Sequence, residues 1–266
     1  MNNSVTILVN SCDSYEDCWY PFFKLLKKYW PERKFPIVLN TETKTFNYEN
    51  MNIKTINVLE KHKNKNIAWS KRLKDVLKRI DSRYILFMLD DFFITDYVDN
   101  EKINQIINWM NEDKNIGVFS LYPIEKNEYQ DIKYNKYEDF VLRNKKGPYR
   151  FNCQAAIWDR KFLISCLRDF ESPWDWELIG NRRSRRTKRK FFALSSETKL
   201  IFEYDFRNIG VIRGKWLLPK TAELFKKENI DIDFNIRNSV KEKQVKEENK
   251  LMKKIKYYLI RIRSWV

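Results

Sequence analysis

The sequence predicts an α/β fold in which a mostly parallel, twisted sheet is flanked by helices. Apolar runs of strand length alternate along the chain with amphipathic helical stretches, a spacing typical of βαβ units. The clearest run, Tyr84–Leu89, is unbroken, as expected of a strand buried on both faces. Asp90 and Asp91 follow it directly, at the place where an open α/β sheet forms its ligand crevice.

The first elements are a strand, a polar loop and a helix. Val5–Val9 is a short apolar strand, and the acidic segment Ser11–Asp17 is a loop. Apolar residues then recur at helical spacing from Trp19 to Trp30, and Pro31 ends the helix. The next elements are two strands, an amphipathic helix and the apolar strand described above, at Phe35–Asn40, Ile53–Leu59, Ala68–Ile80 and Tyr84–Leu89.

The second half of the chain continues the alternation with less regular spacing. Residues 123–150 are polar and tyrosine-rich, which suits a surface hairpin or lid. The other elements are a helix at Asn100–Met110, strands at Gly117–Tyr122 and Phe151–Trp158, a helix at Arg160–Phe170 and a strand at Phe191–Ser196. The body of the domain ends near Pro219, so we assign residues 1–219 to one domain and residues 220–266 to a helical extension.

The extension changes composition from Ser239 onward. Its charges alternate there, and the chain then becomes a basic amphipathic helix that contains Trp265. Such a helix can lie in the plane of an anionic membrane, or it can pack on the domain as an ordinary terminal helix. Both interpretations remain open, and the arginines and Trp265 favour the membrane.

Composition limits the functional classes. With 266 residues, 15% aromatics and only 5 glycines, the chain is neither a repeat, a collagen-like nor a low-complexity protein. The net charge of +16 calls for an anionic partner. Nucleic acid, an acidic membrane surface, and a phosphorylated small molecule with a lipid-phosphate acceptor all meet this requirement.

The cysteines and the N-terminus predict a cytoplasmic protein. Cys12, Cys18, Cys153 and Cys166 lack the spacing of a zinc site and are expected to be reduced thiols. The apolar part of the N-terminus is too short for a signal peptide or a membrane span. His62, the only histidine, lies in a polar run, so catalysis by histidine is not expected.

The aspartate pair is a candidate cation site. Two carboxylates at a strand end suit a hard divalent ion that also holds phosphate oxygens. The alternative is that Asp90 and Asp91 only begin a turn or cap the next element, because aspartate is common at such positions.

The stretch Glu171–Gly180 is the second candidate site. Ser172 is a predicted helix N-cap, which gives Asp175 a structural task as the acid that reaches back to the cap. Glu177 points to a different side of that helix. Trp174 and Trp176 flank it and can partly desolvate it, which would raise its pKa toward that of a useful general base.

Together these acids predict a site with two parts. The pair at the strand end would hold a metal and a diphosphate, and the later acid would take a proton from an attacking hydroxyl. The basic run Arg182–Lys190 follows the second part. It is either a solvated surface loop or a contact for the phosphates of a lipid-linked acceptor or a membrane.

The order of these motifs resembles a GT-A glycosyltransferase of the bacterial surface-polysaccharide kind, with a Rossmann-like fold. The resemblance covers roughly residues 4–219. It rests on the SCDSYED loop, the strand that ends LDDFF, the strand FNCQAAIW, the ESPWDWE turn and the late GKW. Asp90-Asp91-Phe92 stands where the family has Asp-x-Asp.

This resemblance implies roles for individual residues. Asp91 would bind Mn²⁺ or Mg²⁺ on the donor diphosphate, and Asp90 would support it or contact the ribose. Glu177, or failing that Asp175, would be the base of an inverting single displacement. The implied nucleotide-binding residues are Asp13, Tyr15, Lys71, Arg72, Arg213 and Lys215, and the implied sugar platforms are Trp174 and Trp176.

The leading hypothesis is therefore an inverting transferase that extends a capsule, an O-antigen or a related cell-surface glycan at the cytoplasmic face of the membrane. The family's commonest donor is a UDP-sugar, and the implied acceptor is a glycan or a lipid-linked glycan. A nucleic-acid-binding protein is the alternative from another class, but its acids would have to lie away from the contact surface. A nucleotidyltransferase is a third hypothesis. It predicts a glycine-rich loop after the first strand, but the loop found there, SCDSYED, has no glycine.

Overall fold

The computed structural model describes residues 4–59, 67–129 and 135–241. Its centre is an eight-stranded sheet with the order β3-β2-β1-β4-β7-β5-β8-β6. The strands are β1 (Val5–Asn10), β2 (Ile37–Thr41), β3 (Ile53–Asn57), β4 (Tyr84–Leu89), β5 (Ile116–Ile124), β6 (Phe140–Leu142), β7 (Ala156–Asp159) and β8 (Lys190–Ser195). Only β7 and β6 run antiparallel to their neighbours. The predicted mostly parallel α/β sheet is confirmed.

Helices cover both faces of the sheet and create two hydrophobic cores. The helices are α1 (Glu16–Tyr29), α2 (Trp69–Lys78), α3 (Asn100–Glu112), α4 (Arg160–Cys166), α5 (Pro173–Asp175), α6 (Asn181–Ser184) and α7 (Lys220–Lys227). The aromatic residues of α1 and the apolar face of α3 pack on one side, and α2 and α4 pack on the other. Burial on both faces explains why β4 is apolar throughout, as an interior strand of a parallel sheet must be.

The segment before β7 differs from its predicted form. A strand was expected at Phe151–Trp158, but β7 begins only at Ala156. Residues 151–155 leave the sheet because they contact a π-helical turn, Trp176–Gly180, which joins α5 to α6. Phe151 stacks on Trp176 with ring centroids 5.1 Å apart. The predicted helix at Arg160–Phe170 likewise ends early, at Cys166.

Residues 220–241 pack against the sheet domain. A second sheet pairs β9 (Val211–Ile212), β10 (Lys215–Leu218) and β11 (Ser239–Lys241). Glu228, after α7, accepts hydrogen bonds from the hydroxyl of Tyr29 at 2.7 Å and from Lys28 at 2.6 Å, both on α1. No helix in the described part of the chain is long and apolar enough to cross a membrane. His62 and most of the predicted amphipathic extension lie outside the described residues.

Candidate active site

Polar side chains line the carboxyl edge of β1, β2 and β4. Asp90 is 4% exposed and accepts a hydrogen bond from the hydroxyl of Ser11, which in turn accepts one from the indole of Trp19 at 2.6 Å. Burial raises the pKa of Asp90, and the charge of Asp91 raises it further. Asp90 is thus held in the wall of the candidate site through Ser11 and Trp19.

Asp91 has a carboxylate oxygen with no partner. Its Oδ1 is buried and accepts no hydrogen bond from the described residues. Burial raises the pKa of Asp91, whereas the charge of Arg237 and a hydrogen bond from the backbone of Val211 lower it. Leaving a buried carboxylate oxygen unpaired is costly, so this atom is available to a ligand that brings positive charge.

The donor set at this edge fits a divalent cation that is shared with a diphosphate. Within the described ranges, no group of three or more histidine, cysteine or acidic side chains forms a closed metal site. Asp91 Oδ1 can supply one hard oxygen ligand, and phosphate oxygens and water can supply the others, as magnesium sites on nucleotides commonly do. Metal binding by Asp91 stays a prediction, and its unpaired oxygen is compatible with it.

Asp13 organises the turn that follows β2. Its carboxylate accepts hydrogen bonds from the backbone amides of Glu42 at 2.9 Å and of Thr43 at 3.0 Å, and from the Thr43 hydroxyl at 2.5 Å. Burial alone would raise the pKa of Asp13, but these bonds hold it below its usual value. Asp13 lies at the edge where a nucleotide was predicted, and it also shapes that edge.

The two predicted basic contacts on α2 are both paired within the protein. Arg72 donates to the carboxylate of Glu42 at 2.5 Å, so it belongs to the same turn as Asp13. Its Nε is buried without a partner, which leaves one donor for a ligand. Lys71 is paired one helical turn away with Asp75 at 2.5 Å. Arg72 therefore lies at the predicted nucleotide-binding loop, whereas Lys71 is paired with a residue of its own helix.

The ring of Tyr15 contacts Arg237, a residue of the C-terminal part of the described chain. The guanidinium of Arg237 is 4.5 Å from the centroid of the Tyr15 ring and 5.5 Å from that of Trp216. Burial raises the pKa of Tyr15, and the charges of Asp91 and Asp90 raise it further. Tyr15, Arg237 and the aspartate pair therefore belong to one site.

Glu177 lies in the π-helical turn and contacts the segment before β7. Its Oε1 accepts a hydrogen bond from the backbone amide of Cys153 at 2.8 Å. Burial raises the pKa of Glu177, and the contacts with Cys153 partly offset this. π-Helical turns are rare and are often found at functional sites.

Cys153 connects the two acidic parts of the site. Burial raises the pKa of its thiol, and the charges of Glu177 and of Asp91 both raise it further. Because Ala156 of β7 pairs with Phe87 of β4 in antiparallel register, the segment just before β7 lies at the same edge of the sheet as Asp91. Glu177, which contacts Cys153 in that segment, therefore belongs to the same edge.

Asp175 has the structural role that was predicted for it. Its Oδ2 accepts from the Ser172 backbone amide at 3.0 Å, while its own amide donates to the Ser172 hydroxyl at 3.2 Å. This reciprocal capping box is confirmed. Since the carboxylate is engaged there, Glu177 is the better candidate for the base.

The two tryptophans beside Glu177 have different environments. Trp174 is 62% exposed, whereas Trp176 is 1% exposed. The ring of Trp176 packs between Phe151, Trp158 and Trp69, with centroids 5.1 to 5.9 Å away. A sugar cannot stack on a ring whose faces are covered, so the prediction of a platform at Trp176 is corrected to a core residue.

Arg213 and Lys215 lie on the hairpin between β9 and β10. Arg213 and Gly214 form the two-residue turn, with φ of 52° and 77°. Both basic side chains are exposed at this turn. Val211, the first residue of β9, donates a backbone hydrogen bond to Asp91. The hairpin therefore carries positive charge next to the aspartate pair.

The basic run 182–190 is largely engaged in internal contacts. Arg183 pairs with the buried Glu171 at 2.7 Å, and Arg189 pairs with Asp159 at 3.1 Å. The run begins beside the π-helical turn and ends at the start of β8, at the opposite edge of the sheet from Asp91. Much of it thus holds the fold together.

Sequence reasoning missed several residues of this site. Arg237 and Gly210 lie outside the motifs singled out in the sequence, and nothing in the local pattern marks them. Ser11 could have been found from the sequence, because it is a polar residue at the end of an apolar strand. Asn40 has the same position in the neighbouring strand. Cys153 was noted as a thiol but not as the contact of Glu177.

Comparisons with known proteins give only remote similarities. No protein-family model matches the sequence, and no curated protein does. Residues 1–349 of S. aureus TarS, solved in complex with UDP, match with 15% identity and a TM-score of 0.48, over 88% of this chain and 68% of that one. The mannosyltransferase PcManGT from Pyrobaculum calidifontis, solved with GDP-Man and Mn²⁺, matches with 12% identity and a TM-score of 0.43, over 72% of this chain and 54% of that one.

A structure of an active-site mutant of LgtC matches with 11% identity and a TM-score of 0.42, over 88% of this chain and all of its own. Identity and TM-scores at this level assign no activity to the chain. The proposal that follows is based on the residues of this chain.

Proposed function

We propose that this protein is an inverting, nucleotide-sugar-dependent glycosyltransferase of the GT-A type. One observation carries the proposal: Asp91 Oδ1 is buried without a partner at the carboxyl end of β4, and at the same edge of the sheet the partly buried Glu177 accepts a hydrogen bond from Cys153, just before β7. A cation ligand and a general base at one strand edge suit the transfer of a group from a diphosphate to a hydroxyl. The motif resemblance in the sequence supports the same reaction.

In this reaction the chain supplies binding, orientation and a base. Asp91 would hold a divalent cation, Mn²⁺ or Mg²⁺, which neutralises the charge that develops on the leaving diphosphate. Asp90, held by Ser11 and Trp19, keeps Asp91 in position. Tyr15 and Arg72 border the space for the nucleotide.

Glu177 takes the proton of the acceptor hydroxyl. The acceptor oxygen forms a bond to the anomeric carbon of the donor sugar as the bond from that carbon to the diphosphate breaks, which inverts the configuration. The nucleoside diphosphate leaves with the electron pair of the broken bond. Burial of Glu177 raises its pKa and thus makes its carboxylate a stronger base than an exposed one.

The donor and the acceptor are proposed from the motif resemblance. A UDP-sugar is the expected donor, and a lipid-linked or free oligosaccharide of a bacterial capsule, O-antigen or related polysaccharide is the expected acceptor. The exposed indole of Trp174 is suited to stack on a sugar ring. We place the protein in the cytoplasm, peripherally at the inner face of the membrane, because its net charge of +16 favours an anionic surface.

Thermal unfolding in the presence of nucleotides tests the proposal. The panel contains nucleoside diphosphates and nucleotide sugars, each with and without Mn²⁺. A ligand at a hundredfold excess over its Kd stabilises the folded state by about 2.7 kcal/mol. We expect a shift with one nucleotide that the metal increases and that Asp91→Asn abolishes. Asp96→Asn is the matched control, since Asp96 is exposed and its Oδ1 caps only the next backbone amide.

Two results would contradict the proposal. The first is the absence of a shift with any nucleotide, combined with a shift on single-stranded RNA or DNA. The second is release of pyrophosphate rather than nucleoside diphosphate during turnover, which would indicate nucleotidyl transfer instead.

A further inference from the structure

Two buried arginines and one exposed arginine form a cluster behind the π-helical turn. Arg143 and Arg150 are each only 4% exposed, while Arg185 is exposed. We call these three residues the arginine cluster. It opens to solvent on the side of Arg185, where Lys145 and Lys146 are exposed as well.

The guanidinium groups of the cluster bond mainly to neutral oxygens. Arg143 donates to the carbonyl of Pro148 at 2.9 Å. Arg150 donates to the carbonyl of Ser184 at 2.7 Å and to its hydroxyl at 3.2 Å. Arg185 donates to the carbonyl of Lys146 at 3.2 Å. These acceptors lie on two adjoining segments, so they hold the three cations close together.

The positive charge of the cluster is poorly compensated. Its one carboxylate, that of Glu128, lies 3.7 Å from Arg143. Among the described residues, no carboxylate is within ion-pair range of Arg150, and the Nε atoms of Arg143 and Arg150 are buried without a partner. Burial lowers the pKa of Arg150 to about 10, and the charges of Arg143 and Arg185 contribute to this.

Two other arginines with reduced exposure are each paired with a carboxylate. Arg183 is paired with Glu171, and Arg237 is paired with Asp17. Arg150 has instead the ring of Phe191 at 4.0 Å from its guanidinium, which covers one face, while its in-plane Nε has no partner. Burying a guanidinium without an anion is costly, whereas a phosphate accepts several of its N–H groups at once.

The cluster lies next to the proposed base. Ser184 belongs to α6, which continues the π-helical turn of Glu177. Arg150 precedes Cys153, the contact of Glu177, by three residues, which span at most about 10 Å. A phosphate in the cluster would therefore lie close to Glu177, the group that an acceptor hydroxyl has to reach.

We propose that the arginine cluster binds a phosphate group that is carried by the acceptor. This inference rests on the proposed glycosyl transfer, because that reaction supplies the acceptor. A phosphorylated glycan or a glycan linked to a lipid through phosphate has the required chemistry. Free inorganic phosphate has the same chemistry, and the experiment separates the two sources.

The test measures the unfolding midpoint of the full chain against methyl phosphate, dimethyl phosphate and inorganic phosphate, at constant ionic strength in chloride and without nucleotide. We expect both esters to raise the midpoint. Arg185→Gln and Arg150→Gln should each weaken ester binding about tenfold, since each removes charge-assisted hydrogen bonds. Arg185 is exposed, so its variant stays informative if Arg150→Gln does not fold.

Lys34→Gln is the matched control. Lys34 is exposed just before β2, which lies five strands, or about 24 Å, from β8 in the sheet. Its replacement removes one positive charge, as each arginine substitution does. It should bind the esters like the wild type.

Ester binding that is unchanged in both arginine variants would overturn the proposal, as would the absence of any shift. A shift with inorganic phosphate but not with the esters would overturn the assignment to the acceptor. Nucleotide binding is measured separately in Arg185→Gln, and there it should be intact. Failure of the cluster therefore remains distinguishable from failure of the donor site.

Discussion

Arg237 Nε donates to Asp17 Oδ2 at 2.7 Å, and Arg237 Nη2 donates to the other oxygen of the same carboxylate. The two side chains are 8% and 9% exposed. Burial alone would lower the pKa of Arg237, but the contacts with Asp17 raise it. Arg237 also donates to the carbonyl of Ser14 at 2.8 Å. The pair thus joins the C-terminal part of the described chain to the first loop of the site.

We expect Arg237→Gln to destabilise the protein by about 3 to 5 kcal/mol, because it leaves the charge of Asp17 buried without a partner. Nucleotide binding should weaken as well, since Arg237 covers the ring of Tyr15. Urea unfolding and nucleotide titration measure the two effects. Asp17→Asn and the double variant complete a double-mutant cycle, in which the double variant should cost less than the sum. Additive costs would show that the pair is not coupled.

The raised pKa of Glu177 predicts the pH dependence of the reaction. A general base must be ionised, so the rate should fall as the pH falls through the folded-state pKa of Glu177. Burial places that pKa above 4.5. Rates of transfer across the acid range, at saturating metal and donor, should show this limb. A rate that stays constant through the acid range would rule out Glu177 as the base.

Glu177→Gln separates catalysis from folding. A carboxyl group with a raised pKa binds more protons in the folded than in the unfolded state, so its contribution to stability declines as the pH rises above 4.5. Glutamine can still accept the hydrogen bond from Cys153. The variant should therefore lose transfer activity and have a midpoint at neutral pH no lower than that of the wild type. A large drop in the midpoint would show that Glu177 is needed for the fold instead.

The sequence predicted the layers of the fold but not the contacts between distant segments. Apolar strands with polar ends and amphipathic helices are local patterns, and they located β4, Asp91 and α2 closely. The capping box at Ser172 was also local. The reversed direction of β7 and the docking of Arg237 on Tyr15 depend on tertiary contacts, which leave no periodic signal.

Burial was the main source of error at single residues. Trp174 and Trp176 have the same local context in the sequence, yet one is exposed and the other lies in the core. The difference depends on Phe151 and Trp158, which are brought there by the chain after residue 150. A pattern of two tryptophans around an acid cannot show which of them faces solvent.

The two tryptophans therefore give contrasting predictions. Trp176→Ala should destabilise the protein by about 3 to 5 kcal/mol, since it removes a large core side chain. Trp174→Ala should change stability by no more than about 0.5 kcal/mol, because Trp174 is exposed. If Trp174 stacks on the acceptor, its variant should raise the KM for the acceptor and leave that for the donor unchanged. Equal effects on both KM values would contradict this role.

Gly210 allows a test of whether the backbone beside Asp91 must stay in place. Gly210 has a φ of 115°, and a Cβ there would lie 2.8 Å from the carbonyl oxygen of Asp91. Gly214, in the hairpin turn, has a φ of 77° with no atom near its Cβ position. Alanine at either site costs about 1 to 3 kcal/mol in backbone strain, but only Gly210→Ala also displaces Asp91. We therefore expect both variants to unfold at lower temperature and only Gly210→Ala to lose the metal-dependent part of nucleotide binding. Equal loss in both variants would contradict the assignment of Asp91 as the metal ligand.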